Sequence, residues 1–320
     1  MTTRTCIALL CAALAGIAHA QSTFPSKPVR LIIPYPPGGG ADTIIRPLAQ
    51  NLGQSLKQQV VVDNRGGANG NIGMELAAKS PPDGHTLVFA LTGQLAVNPA
   101  LYKKVLYDPI RDFEPITLLG SGPYIIVVHP SLPVRTIREL IALARARPNQ
   151  ISYASSGSGS GGHLVNELLN NMAKVKMLHI PYKGGGPALT ATIAGEAQVL
   201  SAPYATAKPH MESGRLRALA VSTSKRLTGV DLPTVSEAAL PGYDAGVWYA
   251  FLAPAGTPRD VVMKLNAEIL RAMSSPEVKA VLSRSAIEPV GSSPEELAKF
   301  MKSELAKWAK VVREANIQVE

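Results

Sequence analysis

Cysteine is absent after residue 11: Cys6 and Cys11 are the only two in the 320-residue chain. Everything beyond them has no disulfide, no thiol nucleophile and no cysteine-ligated metal. Aromatic residues make up 5% of the chain, and its lysines and arginines are dispersed rather than gathered into a stripe. That combination argues against a nucleic-acid surface, which needs clustered cations and stacking platforms. His85, His129, His163, His179 and His210 show no paired spacing of the H-E-x-x-H kind, so no metal site is expected. A phosphate loop of the form G-x-x-x-x-G-K-[ST] is missing, as is the G-x-S-x-G elbow of a serine hydrolase. After residue 20 no apolar run is long enough to cross a bilayer.

What is present begins with "MTTRTCIALLCAALAGIAHA": one positive charge at Arg4, an apolar run from Cys6 to Ile17, then the small residues Ala18 and Ala20. This is the anatomy of a secretory signal peptide cut after Ala20. As a membrane anchor the run is too short, and a lipid-attachment site at Cys11 would want a small residue where Leu10 stands. A soluble exported protein is expected. At 46% hydrophobic the chain can build a large core, in two lobes. Its net charge of +9 favours anionic partners by long-range steering.

Strand-like and helix-like segments alternate along the chain. "PVRLIIP", "QQVVVDNR", "HTLVFALT", "YIIVVHP", "ISYASS", "VKMLHIPY", "LRALAVST" and "VWYAFLAP" read as strands. In "DTIIRPLAQNLGQSL", Ile44, Ile45, Leu48, Leu52 and Leu56 share one helical face, and Pro47 should cost that helix a hydrogen bond or bend it. Near the end, "TPRDVVMKLNAEILRAM" is expected to open with Thr257 as cap and Pro258 in the first position. Ser293 and Glu296 have the spacing of a capping box. Repeated βα units imply a parallel-rich α/β architecture with helices on both faces. With no low-complexity linker, two lobes would be joined by strands, crossing near Gly120–Tyr124 and Asp244–Trp248.

Four strand-to-helix turns are rich in glycine: "PPGGGAD", "GGANGNIG" (Gly66–Gly73), "SSGSGSGGH" (Ser155–His163) and "YKGGGPA" (Tyr182–Ala188). Such turns expose the free N–H groups of the helix's first turn, which with the helix dipole favour an anion. Tight-turn geometry alone is the competing explanation. Gly157, Gly159 and Gly162 match G-x-G-x-x-G, but the following strand ends "HIPYKGGG" without the acid a dinucleotide ribose requires. His163 is placed to face the cleft or cap its turn, a satisfied structural histidine being the commoner case. No catalytic constellation emerges, and no cofactor is expected.

These segments resemble the exported solute receptors of tripartite tricarboxylate transporters, the Bug family. The resemblance runs over nearly the whole mature chain through "KPVRLIIPYPPGGGAD", "VVVDNRGGANGNIG", "PPDGHTL", "NPALY", "YASSGSGSGGHL", "HIPYKGGGPAL", "GRLRALAVS", "LPTVSEAALPGY" and "FLAPAGTP". It implies a type II periplasmic-binding-protein fold, two α/β lobes with a ligand cleft between them, and a periplasmic receptor rather than an enzyme. The lobes would be 21–122 with 246–320, and 123–245, after the signal peptide 1–20. Carried over by position, one clamp is Tyr35, Gly38, Gly39, Gly40, Ala41 and Asp42, with Thr92 and Gly93 beside it; Asp42 is expected to cap its helix rather than touch an anion. The other clamp is Ser155, Gly157, Ser158, Gly159 and His163, with Tyr182, Lys183 and Tyr204 nearby. Where relatives carry a Phe-Asp-Asn-like segment, this chain reads "VLSAPYATAKP". The missing acid removes a partner for an α-amino group, so the implied ligand is a plain or aromatic carboxylate. The implied partners are permease subunits in the membrane or a sensor kinase, with no nucleic acid and a monomeric receptor. An exported enzyme using the same anion cradle is the further alternative.

Overall fold

The computed structural model describes residues 24–38, 40–227 and 230–314; the expected signal peptide and Gly39 lie outside them. Among the described residues one curled sheet of ten strands runs through the molecule. Its first end is built from β1 (Val29–Ile33), β2 (Val60–Asn64) and β3 (Thr86–Leu91), with β1 parallel to both neighbours. The helices between them are α1 (Gly40–Leu56) and α2 (Asn71–Ala78). A buried π-helical turn, Gly93–Val97, and the short α3 (Asn98–Leu101) follow β3. Ile45, Leu48 and Leu52 are fully buried, so the expected apolar face of α1 is the one it turns to the core. The helix runs on through Pro47, whose ring removes one donor from its interior.

The centre of the sheet departs from the sequence-based expectation. β4 (Phe113–Val128) is a single long strand that passes straight through Gly120, Ser121, Gly122 and Pro123. Only its second half, "YIIVVHP", reads as strand in the sequence. Gly120 is needed there because a Cβ would lie 2.4 Å from the carbonyl oxygen of Glu288 on the crossing strand. From Phe113 to Pro123, β4 pairs antiparallel with β9 (Gly246–Pro254). From Tyr124 it pairs antiparallel with β7 (Val199–Pro203) and β8 (Arg217–Val221). β9 also lies antiparallel to β3. The parallel pattern returns at the far end, where β5 (Ser152–Ser155) is parallel to β6 (Leu178–Pro181) and β7. The sheet is therefore mixed rather than parallel-rich. Successive βα units make neighbours parallel, but β9 returns to the first half after a long excursion and enters from the opposite end.

On β4 the period-two alternation sends Ile126 and Val128 into the larger core and Ile125 and Val127 into a smaller one, all four fully buried. Helices α4 (Ile137–Ala146), α5 (Gly161–Ala173), α6 (Gly185–Ile193), α7 (Tyr204–Glu212) and α8 (Val235–Ala238) belong to this half. The chain ends in α9 (Arg259–Met273), α10 (Pro276–Arg284), β10 (Glu288–Pro289) and α11 (Pro294–Glu314). Thr257 does not cap α9, because its hydroxyl turns back to donate to the Pro254 carbonyl (2.7 Å) and Pro258 takes the cap position. The capping box of α11 forms as expected: Glu296 N–H donates to Ser293 Oγ (3.2 Å), and Ser293 N–H to Glu296 Oε2 (2.8 Å).

Candidate functional site

A narrow cavity opens where the two ends of the sheet face each other, with a volume of about 20 Å³. From the first end come Tyr35 and, after β3, Thr92 and Gly93; from the other come Tyr124 of β4 and Gly161, Leu164 and Val165 of α5. Val247 of β9 and Trp308 of α11 complete the wall. Thr92 Oγ1 accepts the Trp248 N–H (2.8 Å), and the Trp248 and Trp308 indoles both donate to the buried Glu304 carboxylate (2.9 and 3.0 Å). These bonds tie the last helix to the floor of the cavity.

Two long helices point their N-terminal ends toward this region, and they differ electrostatically. α1 carries its own anion. Asp42, in its first turn and 5% exposed, accepts the Gly38 N–H (3.1 Å) and is held by Arg46 (2.7 Å) and Asn64 (3.1 Å). Burial pushes the Asp42 carboxyl up, but the hydrogen bonds from Arg46, the Gly38 amide and Asn64 outweigh it and hold it below the ordinary carboxylate range. The donor of the "PPGGGAD" turn at Gly38 is thus already satisfied from within.

α5 has no acid in its first turn. Its cap residue, Ser160, has extended backbone (φ −68°, ψ 159°), is 7% exposed, and makes no capping bond; its Oγ has no hydrogen-bond partner. The N–H groups of Gly161, Gly162 and His163 are the first of the helix and have no intrahelical acceptor. Gly161 sits so close to Tyr124 that a Cβ would lie 2.0 Å from the phenol oxygen. Burial raises the Tyr124 hydroxyl well above its ordinary pKa, so it stays a neutral donor. The partial positive charge of the helix end and the Tyr124 phenol therefore lie together at the cavity wall, with the spare Ser160 hydroxyl one residue ahead of Gly161, an arrangement that suits an anion.

The turn before α5 is braced internally. Gly159 N–H donates to His163 Nδ1 (2.9 Å), and Gly157 N–H to Ser155 Oγ (3.2 Å), which also lies 2.6 Å from His179 Nε2. The two imidazoles stack at 4.0 Å, with the Tyr153 ring 4.9 Å from His179 and 6.2 Å from His163. Burial pushes His163 down to about 3, the neighbouring imidazole adding to the effect, and His179 down to about 4. Both rings are therefore neutral at physiological pH.

The profile of the tripartite tricarboxylate transporter family receptor matches residues 44–317. The chain belongs to that family. Its members are receptors for solutes, not enzymes. The chain is 36% identical to the protein BugT of Bordetella pertussis, over 96% of each chain. Among solved structures it resembles Rpa4515 of R. palustris with adipate (TM-score 0.86, 36% identity, 92% of this chain and 99% of that one). It also resembles MatC of Rhodopseudomonas palustris with bound malate (TM-score 0.83, 31% identity, 90% and 100%). These likenesses give the chain the two-lobed fold of periplasmic binding proteins.

Set in that family's frame, the residues expected at the site separate into groups. Tyr35, Thr92 and Gly93 line the cavity. Asp42 and Gly38 satisfy each other beside it, Ala41 is buried, Gly40 opens α1, and Gly39 lies outside the described residues. Ser155, Gly157, Gly159 and His163 brace the second turn, with Ser158 half-buried between them. Tyr182, Lys183 and Tyr204 do not line the cavity: Lys183 is exposed, and the two tyrosines pack on the smaller core. In "GGANGNIG" the glycines serve close packing, since Cβ atoms on Gly66, Gly70 and Gly73 would strike Pro36, Gln94 and Pro34. Sequence reasoning missed Tyr124, Ser160, Gly161 and Gln94. Ser160, immediately ahead of a helix, carried a cap signal; Tyr124 and Gln94 carried none.

Proposed function

We propose that this protein is an exported, periplasmic receptor that captures a small carboxylate between its lobes and hands it to a membrane transporter. The observation that carries the reading is the unneutralised N-terminus of α5, where Gly161 and Tyr124 line the cavity with Tyr35, Thr92 and Gly93, and the unpartnered Ser160 hydroxyl stands one residue ahead of Gly161. A carboxylate seated there takes the Gly161 and Gly162 amides and the Ser160 and Tyr124 hydroxyls as donors. Hydrogen bonds to a charged group contribute about 1.5–3 kcal/mol each, enough together to offset desolvation and reach roughly micromolar affinity. The adipate and malate bound by two relatives support this ligand class. The lobes are 21–122 with 246–320, and 123–245, a division supported by the change of β4's partners after Pro123. Closure around the ligand is the state a permease recognises. The signal peptide ending at Ala20 carries the protein to the periplasm.

The test is a thermal-shift screen of refolded protein against mono-, di- and tricarboxylates, their neutral amides, amino acids and nucleotides. Bound ligand stabilises by RT ln(1 + [L]/Kd). A shift that requires the carboxylate supports the receptor. Equal shifts with the amides, or shifts only with nucleotides, overturn it.

A further inference from the structure

Gly67, Ala68, Asn69 and Gly70 form four consecutive residues with positive φ, at +119°, +47°, +50° and +89°. For two glycines this is unremarkable, but alanine and asparagine pay for the left-handed region. Such strain persists only where the surroundings over-determine it. Here the surroundings are buried amides. The Asn69 carbonyl accepts from Gln94 Nε2 (2.7 Å) and Asn98 Nδ2 (3.1 Å), both residues fully buried. The Asn69 side chain donates to Asn98 Oδ1 (2.9 Å) on its own lobe. It also donates across the cleft, to the Gly159 carbonyl, at 3.0 Å.

Gly159 meets the first lobe at very short range. A Cβ there would lie 2.4 Å from Leu101 Cδ2 and 3.3 Å from Asn69 Nδ2. Its N–H is already given to His163, so only its carbonyl is offered outward, and Asn69 Nδ2 donates to it. The same network reaches the cavity wall, because Gln94 Nε2 donates to the Tyr35 hydroxyl (2.8 Å) as well as to the Asn69 carbonyl.

We infer that Asn69 is a closure latch: its strained, amide-locked side chain bonds the Gly159 carbonyl only when the lobes are shut, and so sets how readily the receptor closes on its ligand. This rests on the two-lobed receptor reading. Asn69 does not line the cavity; it is a positioning residue that holds the anion-binding turn against the first lobe. A ligand group engaging the Tyr35 hydroxyl also engages the chain that fixes Asn69. Closure then draws on a preformed contact rather than on ligand bonds alone.

The test uses the chain from Gln21, which lacks cysteine, with spin labels at Lys104→Cys and Glu196→Cys, both exposed. Distances are measured by double electron–electron resonance without ligand and through titrations with adipate and malate. Asn69→Gly relieves the left-handed backbone while removing the bond; Asn69→Asp places a carboxylate against the Gly159 carbonyl. Relative to the parent, the short-distance population falls in the glycine variant and falls further in the aspartate variant. Half-closure by the carboxylate shifts to roughly five- to tenfold higher concentration in the glycine variant, the yield of one neutral hydrogen bond. Unchanged distances and half-closure in both variants overturn the latch. If neither acid closes any of the proteins, the choice of ligand class fails, and the ligand-free distances alone decide on Asn69.

Discussion

Replacing Ser160 with alanine separates a binding role from a structural one, because the two predict opposite signs. A helix-capping serine normally costs about 1 kcal/mol when removed. Ser160 makes no capping bond, so that loss does not arise. Its hydroxyl is instead buried without a partner, a condition that costs about 1–3 kcal/mol of desolvation. Ser160→Ala therefore raises the stability of the ligand-free protein by up to about that amount, and Tm by roughly 2–4 °C per kcal/mol. Affinity moves the other way. Loss of one hydrogen bond to a carboxylate, about 1.5–3 kcal/mol, weakens binding roughly ten- to 150-fold. Calorimetric melting of the ligand-free protein and isothermal titration with the best acid from the screen read the two numbers separately. A lowered Tm with unchanged affinity would refute the reasoning, since it would mean that the hydroxyl works for the fold.

Two neighbouring glycines give a second contrast. Gly161→Ala drives a methyl into Tyr124 at the cavity, whereas Gly162→Ala drives one to 2.5 Å from the Ser201 carbonyl on β7, away from it. Both variants lose about 1–3 kcal/mol to overpacking, and the first loses more affinity because its methyl enters the cavity; equal affinities in titration contradict the placement of the site. The stacked histidines make stability fall with acid. Their folded-state values lie below the unfolded value of about 6.5, so the stability they contribute is complete above that pH and is lost as pH drops toward 4 and 3. Each contributes a slope of up to about 1.4 kcal/mol per pH unit. Melting curves of the parent and His163→Gln between pH 6.5 and 5 should diverge accordingly, and parallel curves would remove His163 from the account.

Much of the fold is legible in local sequence. The β1–α1 and β5–α5 units announce themselves through an apolar run, a glycine turn and an amphipathic stripe, and these local signals fix local conformation whatever the partner. β4 was half-hidden because Gly120, Gly122 and Pro123 read as breakers, whereas tertiary contact makes them necessary. At Gly120 only the absence of a side chain lets β10 approach. The capping box at Ser293 is readable because both partners lie three residues apart; the loss of Thr257 as a cap is not, because its hydroxyl has a choice of acceptors.

The sequence by itself determined the absence of cysteine chemistry, the alternation of strands and helices, the four glycine turns and, through its ordered motifs, the family. Only the tertiary structure decided which groups surround each glycine turn. Asp42 lies near Gly38 in the chain, but the Asn64 that helps keep it ionised comes from another strand, so the neutralisation of α1 depends on how β1 and β2 pair. α5 stays unneutralised because packing brings Tyr124, rather than an acid, to its end. Asn69 and Gly159 stand 90 residues apart, and neither carries a mark of the other. Local conformation follows from backbone sterics and side-chain period, which a short stretch contains; the sign and reach of a site follow from groups that only the folded chain brings together.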